Sequence, residues 1–143
     1  MDHLLRTQAY GRLSCGAGED LYIVPLSYVY NDGYLYAHSK EGKKIWLMRK
    51  DPRVCFQVDE IHDSNNWWSI ITWATYEELG DDPLKSKAIQ LINDRFAAFS
   101  PSKSVHPHSS NPHMTGFAEK AAHPVFFRLK ILKMTGRSER SEG

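Results

Sequence analysis

Asn31-Asp32-Gly33 stands between two runs that are almost entirely aromatic, β-branched or aliphatic: Leu21-Tyr22-Ile23-Val24-Pro25-Leu26-Ser27-Tyr28-Val29-Tyr30 before it and Tyr34-Leu35-Tyr36-Ala37-His38-Ser39 after it. Asp-Gly in that setting is a strong hairpin signal, because a two-residue turn between twisted strands needs positive φ at its centre. Antiparallel β structure is therefore the starting point. Pro25 falls inside the first run. Lacking an N–H for the ladder, it marks either an edge strand or a bulge.

The same pattern continues on both sides. Ala9–Cys15, Arg53–Glu60, Trp67–Tyr76 and His123–Lys133 read as further strands, separated by polar turns at Gly16–Asp20 and His62–Asn66. Two stretches break the period of two. From Glu41 to Lys50 the apolar positions fall at helical spacing, Ser39 or Lys40 stands where an N-cap would, and Asp51-Pro52 stops the helix. Asp81-Asp82-Pro83 opens a longer helix through about Phe99, with Ala88, Leu91, Ile92, Arg95 and Phe96 as its apolar stripe. The first segment, Met1–Thr7, is short enough for a helical turn with Leu4 and Leu5 facing inward. Six strands and two principal helices predict a small antiparallel barrel with helices packed outside it.

Residues 1–135 are expected to make a single domain, with 136–143 a disordered charged tail. Of the 143 residues, 41% are hydrophobic, an ordinary globular share. A formal net charge of +1 provides no global field toward nucleic acid or a membrane surface. No apolar run reaches spanning length, and the N-terminus lacks a signal-peptide pattern, so a cytoplasmic chain is expected. Cys15 and Cys55 belong to no C-x-x-C motif and read as reduced structural thiols.

The stretch His38-Ser39-Lys40-Glu41-Gly42-Lys43-Lys44 carries the most chemistry. A strand ends, a hydroxyl follows, and a helix starts with a glycine and two lysines. Free N–H groups at a helix start favour an anion, Gly42 permits close approach, and the lysines add charge. A monophosphate cradle and a merely capped helix with two solvated lysines both fit. It is not a Walker loop, whose spacing is absent. Trp67, Trp68 and Trp73 crowd one strand and could flank a flat ring or simply fill a core. His106, His108 and His113 lie in a loop, Ser100–Phe117, without the Cys or carboxylate companions of a metal site, so no metal is expected.

Taken together, Gly11-Arg12-Leu13-Ser14, the run Tyr22 to Tyr30, Asp32-Gly33-Tyr34-Leu35-Tyr36-Ala37-His38-Ser39, Gly42-Lys43-Lys44 and Asp51-Pro52-Arg53-Val54-Cys55-Phe56-Gln57-Val58-Asp59 resemble the pyridoxamine-5′-phosphate-oxidase-like flavin-binding proteins, with the nitroimidazole-resistance flavoproteins as the nearest branch. The resemblance runs from about Gly11 to Leu79 and continues weakly beyond. It implies a six-stranded antiparallel FMN-binding split β-barrel that forms a homodimer with flavin at the interface. It further implies that Ser39, Lys43 and Lys44 meet the FMN phosphate. Val24, Pro25 and Leu26 would border the isoalloxazine ring, with Trp68 and Ser69 approaching from a neighbouring strand. His38 would hold the phosphate or point toward the ring.

The implied activity is reduction of a small electron acceptor, such as a nitroaromatic or quinone. A non-catalytic flavin-binding or storage module, a haem-binding split barrel using a histidine of the loop or His123, and a structural dimerisation domain are the alternatives. The substrate-phosphate residues of a pyridoxamine oxidase are lacking, and that activity is not expected.

Overall fold

The computed structural model describes residues 2–99 and 124–141. Its elements in chain order are α1 (Asp2–Thr7), β1 (Tyr10–Ala17), β2 (Asp20–Ser27), β3 (Val29–Asn31), β4 (Tyr34–Ser39), α2 (Lys43–Lys50), β5 (Arg53–Asp63), β6 (Asn66–Glu78), α3 (Pro83–Phe99) and β7 (Val125–Glu139). All strands join one antiparallel sheet in the order β2-β1-β5-β6-β7-β4-β3. The Asp-Gly turn forms as its chemistry requires, with φ of 47° at Asp32 and 83° at Gly33 joining β3 to β4.

Among the described residues there are seven strands rather than the six expected, because Leu21–Tyr30 does not run as one. β2 ends at Ser27 and pairs with β1, whereas β3 begins at Val29 and pairs with β4. Tyr28 between them is the corner. Its N–H donates to the Ala9 carbonyl at 3.3 Å and its hydroxyl donates to the Leu5 carbonyl at 2.7 Å. Its ring meets Phe56 edge-on, with centroids 5.0 Å apart. β2 and β3 are the two edges of the sheet yet only one residue separates them in the chain, so the sheet must curl until its edges approach. No β2–β3 pairing bridges them, which leaves the barrel split.

Alternation sorts the side chains. Leu13 and Cys15 of β1, Leu26 of β2, Val54, Phe56 and Val58 of β5, Ile70, Thr72 and Ala74 of β6, and Phe127 and Leu129 of β7 face the interior and are buried. The one polar member, Thr72, donates to the Phe56 carbonyl at 3.2 Å. Gly11 is required by close approach: a Cβ there would lie 2.5 Å from the Gln57 carbonyl and 2.6 Å from the Phe56 ring. α1 covers the interior with Leu4 and Leu5, as expected. α3 runs over Pro83–Phe99, and its Ala88 packs against Tyr36 and Leu79 on the other face of β4.

Of the two alternatives for Pro25 the edge strand holds: it sits on β2 in unbroken register with Arg12. Three further differences from the sequence reading stand out. The cap of α2 is Gly42, with no side-chain cap bond, while Ser39 stays in β4. The strand begun at Val125 continues to Glu139, so Gly136–Glu139 are not a disordered tail. They pair with Trp67–Ile70, where backbone bonds outweigh the charged composition. Finally, β5 and β6 extend to a tight turn after Asp63, whose carboxylate accepts from the Asn65 N–H.

Tyr28→Phe tests the corner. It strands the Leu5 carbonyl and should lower unfolding free energy by about 1–2 kcal/mol. Urea melts would show this, with an unchanged midpoint contradicting the role assigned to the hydroxyl.

Candidate functional site

The start of α2 presents the features of an anion cradle. The first intrahelical bond runs from the Trp46 N–H to the Gly42 carbonyl, 3.0 Å. The N–H groups of the preceding turn are thereby left without helical partners. Nothing lies closer than the Lys40 carbonyl, 3.9 Å, to where a Cβ on Gly42 would be, so the backbone is approachable. Lys43 is exposed, with its ammonium 5.5 Å from the Tyr22 ring centroid on β2. Lys44 lies near Cys15, whose thiol pKa is raised by burial and partly drawn back by that ammonium. Among the described residues neither lysine has a carboxylate partner. The hydroxyl of Ser39 donates to the Lys40 carbonyl at 3.0 Å, so as placed its proton points away from an incoming anion.

The segment between β4 and α2 is held by a clamp that the sequence reading missed. Arg49 donates through Nη1 and Nη2 to both oxygens of Glu41, at 2.9 and 2.8 Å. Through Nε and Nη2 it donates to both oxygens of Glu78 at the end of β6, at 2.7 and 3.0 Å. Tyr76 adds its hydroxyl to Glu78 at 2.7 Å. One guanidinium thus ties α2, the loop before it and β6 together, with two bidentate contacts that a lysine could not reproduce. Residues 41, 49 and 78 share no local motif, so only the tertiary structure reveals them.

Val24, Pro25 and Leu26 lie on the β2 edge, opposite Leu13, Arg12 and Gly11. Every second peptide along that edge faces away from β1 and is open to a partner. Tyr22, the residue under Lys43, belongs to the same strand, so the lysine and the Val24–Leu26 backbone share one border. Ser69 connects to this border through polar side chains. Gln57 donates to Ser69 Oγ at 3.0 Å and to Asp59 at 2.9 Å, and Asp59 accepts from Arg12 at 3.4 Å. The peptide groups of Ser69 itself are enclosed between β5 and β7.

His38 and Trp68 separate from this group. Alternation along β4 turns His38 to the face of Tyr36, away from Ser39, and its ring stacks on Phe126 at 5.4 Å between centroids. Partial burial lowers its pKa. Trp68 points to the opposite face of β6 from Ser69 and lines cavities with Arg137 and Arg140. Ser39 lies by Val125 at one end of β7, whereas Trp68 pairs with Ser138 near the other. From Glu78 back to Trp68 the strand contour is roughly 30 Å, too long for one mononucleotide to bridge Ser39 and Trp68 of the same chain. His106, His108, His113 and His123 lie outside the described residues. Cys15 is buried and Cys55 half-buried, and burial raises both thiols, consistent with structural roles.

Over residues 1–138 the chain matches the family described as Pyridoxamine 5'-phosphate oxidase. It belongs to that family. An uncharacterized protein of Rhizobium meliloti is 30% identical over 131 residues, which are 89% of this chain and 82% of that one. A FAD-binding protein from Mesorhizobium loti has 32% identity and a TM-score of 0.70, covering 96% of this chain and 91% of its own. A candidate 5-nitroimidazole antibiotic resistance protein from Bacteroides thetaiotaomicron superposes with a TM-score of 0.68 over 94% of this chain and 80% of its own, but at 16% identity. That last likeness is one of fold alone. Among the described residues of this family member no helix is long and apolar enough to cross a membrane.

The clamp has a pH signature. Arg49 holds the carboxyls of Glu41 and Glu78 below the usual glutamate range. Their folded pKa values are depressed, so the stabilisation is present above about 4.5, the ordinary value, and is lost as pH falls through the folded values. Arg49→Met should therefore melt below the parent at pH 7, and the difference should shrink toward pH 3. Thermal melts at the two pH values test this; an unchanged difference would contradict it.

Proposed function

We propose that this protein binds a flavin phosphate at the start of α2 and uses the flavin to reduce a small electrophile. The observation that carries the reading is the helix start at Gly42, with unfilled N–H groups and two lysines that have no carboxylate partner among the described residues, beside an open strand edge. Lys43 and Lys44 would balance the phosphate. Ser39 would contribute once its hydroxyl turned from the Lys40 carbonyl. The backbone of Val24, Pro25 and Leu26 would border the ring, and the outward N–H groups of β2 would face negative charge on it. A bound flavin supplies two-electron transfer chemistry that no side chain here could. A nitroaromatic or quinone acceptor would take up two electrons together with protons from solvent.

FMN is the form that a single phosphate cradle accommodates directly, although the Mesorhizobium loti relative points also to FAD. The nitroimidazole-resistance reading rests on the resemblance and on a likeness of fold.

A homodimer is part of the proposal. Leu21 and Ile23 on β2, Ile61 on β5 and Ile71 and Trp73 on β6 stand on the outer face of the sheet, and Leu21 is 87% exposed. Such a patch on a small chain is an interaction surface, and it continues to the β2 edge where the cofactor is placed. A second copy laid on this face would also bring its own side chains to the flavin, which the separation of Ser39 from Trp68 in one chain otherwise prevents.

Two measurements test the proposal. Lys43→Ala with Lys44→Ala should weaken FMN by about tenfold or more, the worth of one charge-assisted hydrogen bond, and riboflavin little. Fluorescence titration of both ligands decides it, and equal weakening would remove the phosphate from these lysines. Ile23→Glu with Trp73→Glu should convert a dimer to a monomer in sedimentation velocity. A parent that sediments as a monomer at high micromolar concentration would contradict the dimer.

A further inference from the structure

Glu41 is the single acidic residue between the end of β4 and the end of α2, and it stands directly before Gly42, where the helix starts. Acidic side chains are favoured at such positions, because they accept from the N–H groups that a helix leaves unpaired and offset its dipole. The ammonium groups of Lys43 and Lys44, close by in the chain, are a further attraction. Left to itself, Glu41 would be an anion built into the very place where an anion is to bind.

The structure directs it elsewhere. Both oxygens of Glu41 accept from Arg49, at 2.8 and 2.9 Å, and the Trp46 side chain lies beside it. The start of α2 carries no side-chain cap bond. Among the described residues no ion pair joins Glu41 to either lysine. Arg49 in turn is fixed from behind. Glu78 accepts from its Nε and Nη2 at 2.7 and 3.0 Å, and the Tyr76 hydroxyl donates to Glu78 at 2.7 Å. Two-point contact with a planar guanidinium is a strong and directional hold on a carboxylate. It keeps the Glu41 carboxyl below the usual glutamate range, which shows where its charge is satisfied.

We propose that Arg49 keeps the start of α2 open to a phosphate by holding Glu41 away from it. Released, Glu41 would fold back onto the unpaired N–H groups and the two lysines and occupy the site itself. Arg49 is thus a positioning residue that touches no ligand and acts through Glu41. This rests on the reading of the start of α2 as a phosphate cradle.

The test is fluorescence titration of FMN and riboflavin into the full chain and its variants. Arg49→Met should weaken FMN by about tenfold, as expected where charge-assisted contacts are lost to a competitor, and riboflavin little. The same substitution in a Glu41→Ala background should change FMN affinity by less than about threefold, since no competitor remains. Glu78→Ala, which loosens the anchor on β6 but leaves Glu41 on Arg49, should likewise have a small effect. A clamp that only holds the fold would show the same loss from Arg49→Met in both backgrounds, or as large a loss from Glu78→Ala. Either result, or an unchanged FMN affinity in Arg49→Met, would overturn the inference. Arg49→Gln, which keeps a donor for Glu78, takes the place of Arg49→Met if that variant melts below the assay temperature. Hydrogen exchange at the amides of Lys43, Lys44 and Ile45 reads the competitor with no ligand present. Exchange should slow in Arg49→Met and quicken again when Glu41→Ala is added; rates that ignore both substitutions would contradict the proposal. A parent that takes FMN no better than riboflavin would refute the cradle itself, whereas a parent that prefers FMN, with losses indifferent to Glu41, would refute only the restraint assigned to Arg49.

Discussion

The corner at Tyr28 is the constraint from which the rest follows. One residue separates two strands that occupy opposite edges of a seven-stranded sheet, so the sheet has to roll up, and Tyr28 is the residue that turns the chain from one edge to the other. Its ring is buried against Phe56 and its hydroxyl reaches the Leu5 carbonyl, so the same side chain fixes the closure and docks the N-terminal helix over the interior. The Phe56 ring in turn occupies the space a side chain at position 11 would need. Closure, core and cover are thus one packed unit, and small changes in volume there are felt throughout it.

The candidate site is built on what closure leaves unpaired. β2 and β3 do not pair across the split, so β2 keeps an open edge. α2 packs beside β1 and brings Lys43 over Tyr22 at that edge. The clamp made by Arg49 ties the loop before α2 to the far end of β6, which holds the start of the helix to the rigid part of the sheet. A site of this kind has its charge at a helix start and its flat border along a strand edge, with both supported by regular structure.

Much of this was legible in the sequence because the signals are local. Asp32-Gly33 dictated a turn by its φ values, Pro52 and Pro83 marked helix boundaries by chain geometry, and alternation along the strands assigned the core. The misreadings have local causes as well. Leu21–Tyr30 looks like one strand since nothing in its composition announces the corner at Tyr28. Gly136–Glu139 looks like a tail because its residues are small or charged, yet the Trp67–Ile70 segment supplies a ladder for it. The site was only partly legible. The cluster of Ser39, Lys43 and Lys44 was visible as a contiguous stretch, whereas Arg49 with Glu41 and Glu78, and Arg140 with Trp68, are brought together only by the tertiary fold. Adjacent residues also part company. Trp68 and Ser69, like His38 and Ser39, sit side by side in sequence and on opposite faces of their strands, so a reading that assigns neighbours to one ligand is undone by the period of two.

The central claim is that the open edge of β2 and the start of α2 hold a flavin. It is tested most directly by the visible absorbance spectrum of the purified chain, recorded before and after adding FMN and removing the excess. Flavin bands retained at close to one per chain are the predicted result. A chain that retains no flavin at high protein concentration, with FAD tried in the same way, would contradict the account.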